Sequence, residues 1–338
     1  MASANEAAGG LKIGLFLPTR DWASVAEAAR FADEHGFHSV SLNDHFVSQD
    51  GGAGAPQLEC LSVMTGVAAI TSRVRLVPTV LAASYRTPAM LAKATATIDQ
   101  ISGGRFTLGI GSGWNVAEYT AHGYPFPDAT ERLDRLEETI EVVKAMWGVG
   151  ASSATAPATW KGRFYEVEEA STLPRPVQQP APPIMVGGSS SHLLSIAARH
   201  ADVVNLIPPT AHGKDFIKDA DATVRFDRAR LRQRIGRLRA LAEEHGRDPR
   251  SIEISGFALA NLSHDPSHPV FERLARRLGF ADLASAQASP VALIGTPEQA
   301  IDELGRRADE DGVSWFIIVA TSPETQEILA GEVLPTLS

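Results

Sequence analysis

Residues 104–126 read GRFTLGIGSGWNVAEYTAHGYPF, and the fold turns on how this stretch is parsed. The run 106–110 is apolar and uncharged, the pattern of a strand covered on both faces. It ends in Gly111-Ser112-Gly113 and passes into a polar and aromatic segment, Trp114-Asn115 and Glu118-Tyr119. Two glycines at the C-terminal end of a strand let another group come close to the backbone. In α/β proteins that end of the sheet is where ligands bind. The pattern equally fits a tight strand-to-loop turn with a buried tryptophan, so the surroundings must decide.

On the N-terminal side, residues 11–17, 39–42 and 74–81 read as strands. The first is followed by a helix that Asp21 can cap, with Val25, Ala28, Ala29 and Ala32 at helical spacing and a stop at His35-Gly36. A glycine-rich loop at 49–56 leads to a helix at 58–70, and Pro88 suits the start of another at 88–101. On the C-terminal side, an amphipathic helix is predicted at 131–147. Strands follow at 184–186, 202–206, 252–260 and 315–320, with helices from Ser190 to about His200 and over 223–245, 297–311 and 325–334. The rhythm breaks twice. Residues 148–183, rich in Ala, Ser, Thr and Pro, hold a small hairpin around Lys161-Gly162, and 261–290 is irregular apart from a short helix at 270–278. Both read as insertions over the ligand face.

Eight strands alternating with helices predict an α/β fold, a (β/α)8 TIM barrel with insertions at the C-terminal face of the strands. It would be one domain over 8–335, with a disordered tail at 1–7. A doubly wound open sheet is the alternative, weakened because no GxGxxG follows the first strand. The arginine-rich run RFDRARLRQRIGRLRA reads as a solvated helix face. The net charge of −9 argues against a nucleic-acid or anionic-membrane binder. Cys60 is the single cysteine, so it can form no internal disulfide and no cysteine metal pair. The start, MASANEAAGG, lacks the basic and apolar runs of a signal peptide, and no uncharged run reaches membrane-spanning length. A soluble cytoplasmic protein is expected.

In a barrel the positions just past the strand ends carry function. Asp44-His45 directly follows the second strand. A histidine there can exchange a proton beside a ligand, and an adjacent carboxylate can orient an imidazole or bond a ligand amide. The same residue could be an ordinary histidine of the rim. Gly187-Gly188-Ser189-Ser190 joins a strand to a helix N-terminus, where free amides and the helix dipole favour a phosphate; a tight turn with a capping serine is the plainer reading. There is no GxSxG, no HExxH and no His/Cys cluster, so neither nucleophilic nor metal chemistry is indicated. A rim of glycines, aromatics, hydroxyls and one histidine suits a planar cofactor that performs the difficult step itself.

The chain resembles the bacterial-luciferase-like family of barrel oxidoreductases, particularly the branch that uses the deazaflavin coenzyme F420. The resemblance runs through IGLFLP, VSLNDHF, RVRLVPTVLAASYRTPAMLAKATATIDQ, ISGGRFTLGIGSGWNVAEYTAHGYPF, ERLDRLEETIEVVKAMW, IMVGGSSSHLLSIAARHADVVNL and LIGTPEQAIDEL. It implies that His45, with Asp44, lies near the reactive carbon of the ring, and that a non-proline cis peptide falls at Thr79-Val80. It also implies that Gly111, Ser112 and Gly113 border the ring or its side chain, and that Gly187, Gly188 and Ser189 hold the phosphate. Two positions depart from the sugar-phosphate dehydrogenases of this branch. Trp114 stands where they have a glutamate, and Gln49 where they have a tryptophan, so a sugar phosphate is not the expected substrate. The resemblance therefore implies hydride transfer from reduced F420 to a C=C or C=N bond of a small-molecule or peptide-like substrate, with Phe46, Tyr85 and Trp114 shaping an apolar pocket. Lys161, Arg163 and Arg175 are the basic residues offered for the acidic tail of the deazaflavin. An FMNH2/O2-dependent monooxygenase and a non-catalytic flavin-binding subunit are the alternatives. A homodimer served by an F420 or flavin reductase is the implied assembly.

Overall fold

The computed structural model describes residues 10–49, 54–209 and 216–337; the predicted tail at 1–7 lies outside them. The strands run in chain order as β1 (Lys12–Phe16), β2 (Ser39–Leu42), β3 (Arg75–Pro78), β4 (Leu81–Ala82), β5 (Leu108–Gly111) and β6 (Ala158–Lys161). They continue as β7 (Glu166–Ala170), β8 (Ile184–Gly187), β9 (Val203–Leu206), β10 (Glu253–Leu262), β11 (Ala292–Gly295) and β12 (Trp315–Ala320). Nine of them pair in the order β3-β2-β1-β12-β10-β9-β8-β5-β4, and every pairing along this path is parallel. The two ends of the path, β3 and β4, are halves of one interrupted strand, separated only by Thr79 and Val80. Residues 105–107 bridge to Leu76, which donates its amide to Arg105 (2.9 Å) and accepts that of Thr107 (3.0 Å). The result is a nearly closed parallel barrel in which the eight expected staves are all present.

The helices start where short polar side chains take up orphan amides. Asp21 caps Ser24 at 2.9 Å, Asp128 caps Glu131 at 2.9 Å, and Thr296 with Gln299 forms a capping box. Strand residues such as Ile13, Val40, Leu76, Ile110, Val186 and Ile317 are fully buried, as a parallel sheet clad in helices requires. The hairpin expected at Lys161-Gly162 is β6–β7, which pairs Lys161 with Glu166.

Three readings change. The helix predicted over 223–245 is two, Ala220–Arg225 and Arg228–Glu244, because buried Phe226 leaves helical geometry and Asp227 caps Arg230 at 2.8 Å. The strand predicted to end at 260 continues to Leu262, and its upper half pairs with β11, a strand just past the predicted insertion 261–290 where no element was expected. Lastly, Val116–Ala121 is a short helix capped by Asn115, and it buries Glu118 and Tyr119.

Candidate active site

A cavity of about 380 Å³ opens at the C-terminal ends of the strands. It is lined from β2 by Asp44 and His45, from the β3–β4 junction by Thr79 and Val80, and from beyond β5 by Gly111, Ser112, Gly113 and Trp114. Gly187, Gly188, Ser189 and Ser190 line it from beyond β8. The strand-end residues singled out in the sequence are thus brought to one mouth.

The Thr79-Val80 peptide is cis, as the resemblance implies. The Val80 side chain lies between two strands that carry glycine where they pass it. A Cβ on Gly111 would stand 2.8 Å from one Val80 methyl, and a Cβ on Gly187 2.7 Å from the other. Gly113 has a different reason: it is left-handed (φ 76°), and a Cβ there would stand 1.8 Å from the Tyr119 hydroxyl oxygen. The group that these glycines admit is therefore protein. With no Cβ on Gly111 or Gly187, these residues and Val80 form an uncluttered apolar shelf that suits a flat ring.

At the β8 loop the Ser189 hydroxyl is already committed as a donor, while that of Ser190 only accepts. Ser189 is buried and donates to the Ile207 carbonyl at 2.8 Å, while Ser190 accepts from the Leu193 amide at 3.3 Å. The Gly188 amide bonds Asn205. The amides of Ser189 and Ser190 have no protein acceptor among the described residues, so an anion held here would be met by these amides and the Ser190 O–H at the start of the helix Ser191–His200.

Asp44 and His45 are adjacent in sequence but separate in chemistry. Asp44 accepts both guanidinium nitrogens of Arg86 (2.7 and 2.8 Å) and the Ala82 amide (3.0 Å). It ties the rim together, and three of its four lone-pair positions are taken. The carboxylate that meets the imidazole is Glu118, 2.7 Å from His45 Nδ1. Glu118 is 2 % exposed. It also accepts the amides of Phe46 and Val47, both at 3.1 Å, and the Tyr85 hydroxyl at 3.3 Å. Burial pushes its pKa up, but the His45 contact and the two amides outweigh burial and hold the carboxyl below its usual range. An ionised Glu118 favours the tautomer with a proton on His45 Nδ1, leaving Nε2 to accept or deliver a proton.

Of the three predicted pocket aromatics, Trp114 lines the cavity and stands edge-on to His45 at 5.4 Å. Tyr85 lines it while being largely buried. Phe46 does not line it: the ring stacks on His122 at 4.2 Å outside the mouth, because the backbone amides at 46 and 47 are turned in toward Glu118. Gln49 does line the cavity. The basic residues offered for an acidic tail lie elsewhere. Lys161 pairs with Glu166, Arg163 pairs with Asp134, and Arg175 bonds Thr172 and the Ala156 carbonyl. None of the three lines the cavity. Glu118 was the residue that strand-end reasoning passed over. Its signal was the spacing Asn115-x-x-Glu118, a cap followed by an acid in the first helical turn. Among the described residues no group of three or more His, Cys, Asp or Glu could hold a metal ion.

The mouth of this parallel barrel thus brings together an apolar shelf, a helix-start loop with two amides free among the described residues and a carboxylate-bound histidine. Residues 5–225 match the sequence profile of the luciferase-like monooxygenases. The chain belongs to that family, and at the level of the family it is an oxidoreductase. It is 29 % identical over 303 residues to the F420-dependent glucose-6-phosphate dehydrogenase of Amycolatopsis mediterranei, covering 89 % of this chain and 81 % of the relative. It is 33 % identical over 175 residues to the FMNH2-dependent dimethylsulfone monooxygenase of Pseudomonas putida, covering 52 % of this chain but only 46 % of that enzyme. In structure it matches an F420-dependent secondary alcohol dehydrogenase at a TM-score of 0.78 with 19 % identity, covering 97 % of this chain and 99 % of the other. That likeness establishes the TIM-barrel fold. Relatives thus include both F420- and FMN-dependent enzymes. No helix among the described residues is long and apolar enough to cross a membrane.

Proposed function

We propose that the protein is an F420-dependent oxidoreductase that transfers a hydride between reduced deazaflavin and a small organic substrate, in the direction that reduces a C=C or C=N bond. The observation that carries this reading is the shelf of Val80, Gly111 and Gly187 with His45 and its Glu118 partner at the same mouth. Thr79, Val80, Gly111, Ser112 and Gly113 would hold the ring and its side chain. Gly187, Gly188 and the amides of Ser189 and Ser190 would hold the phosphate. When bound, the deazaflavin supplies the hydride equivalent. The protein's own part is to exclude water, to orient the substrate against Trp114 and Tyr85, and to hold a proton at His45 Nε2. Asp44 fixes the rim through Arg86 rather than moving a proton. The choice of F420 over FMN is supported by the relative that aligns over most of both chains. The reading also takes the protein as a cytoplasmic homodimer supplied by an F420 reductase.

A second reading, an FMNH2/O2-dependent monooxygenase fed by a flavin reductase, is favoured by the family's description and by the Pseudomonas putida relative. Titration with oxidised F420 and, separately, with FMN, followed by quenching of cofactor fluorescence, separates the two. The expected result is F420 binding at micromolar concentration; binding of FMN alone would reverse the order. His45→Ala is expected to bind cofactor within a few-fold of wild type and to turn over about 100-fold more slowly. Undiminished turnover in that variant would remove the proton role, and tight binding without turnover in the wild type would leave a flavin-binding subunit.

A further inference from the structure

Adjoining the first cavity is a second, of about 520 Å³, which shares Tyr85, Ser112 and Arg132 with it. Its walls include the aromatics Tyr124, Phe126 and Tyr165 and one carboxylate, Glu131, which is paired with Arg135. Three arginines line it, and two are already neutralised. Arg86 is held by Asp44 and Glu59, and Arg135 by Glu131 at 2.7 Å. Arg132 differs. Among the described residues no carboxylate lies within ion-pair distance of it. Its Nε is buried without a partner, one terminal nitrogen donates to the Pro127 carbonyl at 2.6 Å, and its guanidinium lies 3.9 Å from the centre of the Phe126 ring. A stacked, partly desolvated guanidinium with open donors binds carboxylates and phosphates strongly. Burial lowers its pKa, and the nearby Tyr119 and Asp128 only partly offset that, so the positive charge is under-compensated.

We propose that the second chamber is a subsite for an anionic group, a carboxylate or a phosphate ester, on a ligand whose remainder occupies the first cavity, with Arg132 as its counter-ion. This rests on the first cavity being the ligand site of the proposed function. The anion has two possible carriers, the cofactor's acidic tail and an acidic substrate, and both meet the same chemistry.

Two pairs of probes distinguish them. The first pair is F420 and the tail-free deazaflavin riboside, titrated by fluorescence. The second pair, 3-phenylpropanoate and 3-phenylpropanamide, is added to cofactor-loaded protein. Arg132→Met is expected to weaken the charged member of one pair at least about tenfold and its neutral partner less than about twofold. A loss confined to F420 assigns the anion to the cofactor; a loss confined to phenylpropanoate assigns it to the substrate. Equal changes within both pairs overturn the proposal. Because Arg132 also packs on Phe126, wild-type protein gives an independent test. Raising salt from about 0.05 to about 0.5 M should weaken only the charged member of the affected pair, and loss of both members alike, or of neither, counts against the subsite. If neither deazaflavin binds the wild type, the F420 reading fails, while the phenylpropanoate pair, run on FMN-loaded protein, still tests Arg132.

Discussion

Four donors converge on Glu118: the His45 ring, two successive amides and the Tyr85 hydroxyl. Only an ionised carboxylate can accept them all, since an amide brings an NH2 group that would face a donor. Glu118→Gln is therefore expected to slow turnover about 10- to 100-fold with cofactor affinity nearly unchanged, as a single-turnover experiment would show. It should also reduce stability by about 1–3 kcal/mol in denaturant titration. Equal rates in the variant would show that Glu118 only folds the loop. At the same scale, a methyl at Gly113 meets both a left-handed backbone and the Tyr119 hydroxyl. A Gly113→Ala chain should lose stability by about 1–3 kcal/mol.

The hairpin β6–β7 is tied to the barrel through one residue of its supporting helix. Glu138, on the helix Ala129–Met146, accepts the Phe164 and Tyr165 amides at 3.0 and 2.8 Å and the Trp160 indole at 3.4 Å. Glu138→Ala leaves those donors without an acceptor. Faster amide exchange at residues 164 and 165, with the barrel strands still protected, is the expected outcome; unchanged exchange would mean that the hairpin is held by packing alone. Elements of this kind divide by legibility. Strands β1, β5, β8, β9 and β12 are mostly apolar runs closed by turn residues, and local pattern suffices for them. The helix 116–121 and strand β11 are short, and an inward-facing acid or a neighbouring irregular segment hides their periodicity. The break at Phe226-Asp227 was readable only as a cap inside an otherwise continuous helical pattern.

Across the whole molecule, acid should act at the end of the barrel away from the mouth as well. His38, at the start of β2, stands edge-on to Trp315 with its Nε2 buried and unpartnered. Burial, and then the charges of Lys12 and Arg75, lower its pKa to about 3 from 6.5. The native state thus refuses a proton that the unfolded chain accepts below its own pKa. Stability is complete above about pH 6.5 and declines as pH falls from there toward about 3. His38→Phe should show a smaller loss of denaturant midpoint between about pH 7 and about pH 5 than wild type, and identical losses would refute the linkage.

The sequence by itself determined the order of staves, the face on which the loops gather and the family. In a parallel barrel every strand's C-terminal end lies at the same mouth, so Asp44, His45, Gly111 and Gly187 had to meet once the strands were found. Tertiary structure alone decided that His45 is held by a residue 73 positions away rather than by its neighbour. It also decided that Phe46 turns out of the cavity and that Arg132, rather than Lys161, Arg163 or Arg175, lines both cavities. Those outcomes depend on how a six-residue helix and three rim loops pack against one another, and no local periodicity encodes such a contact.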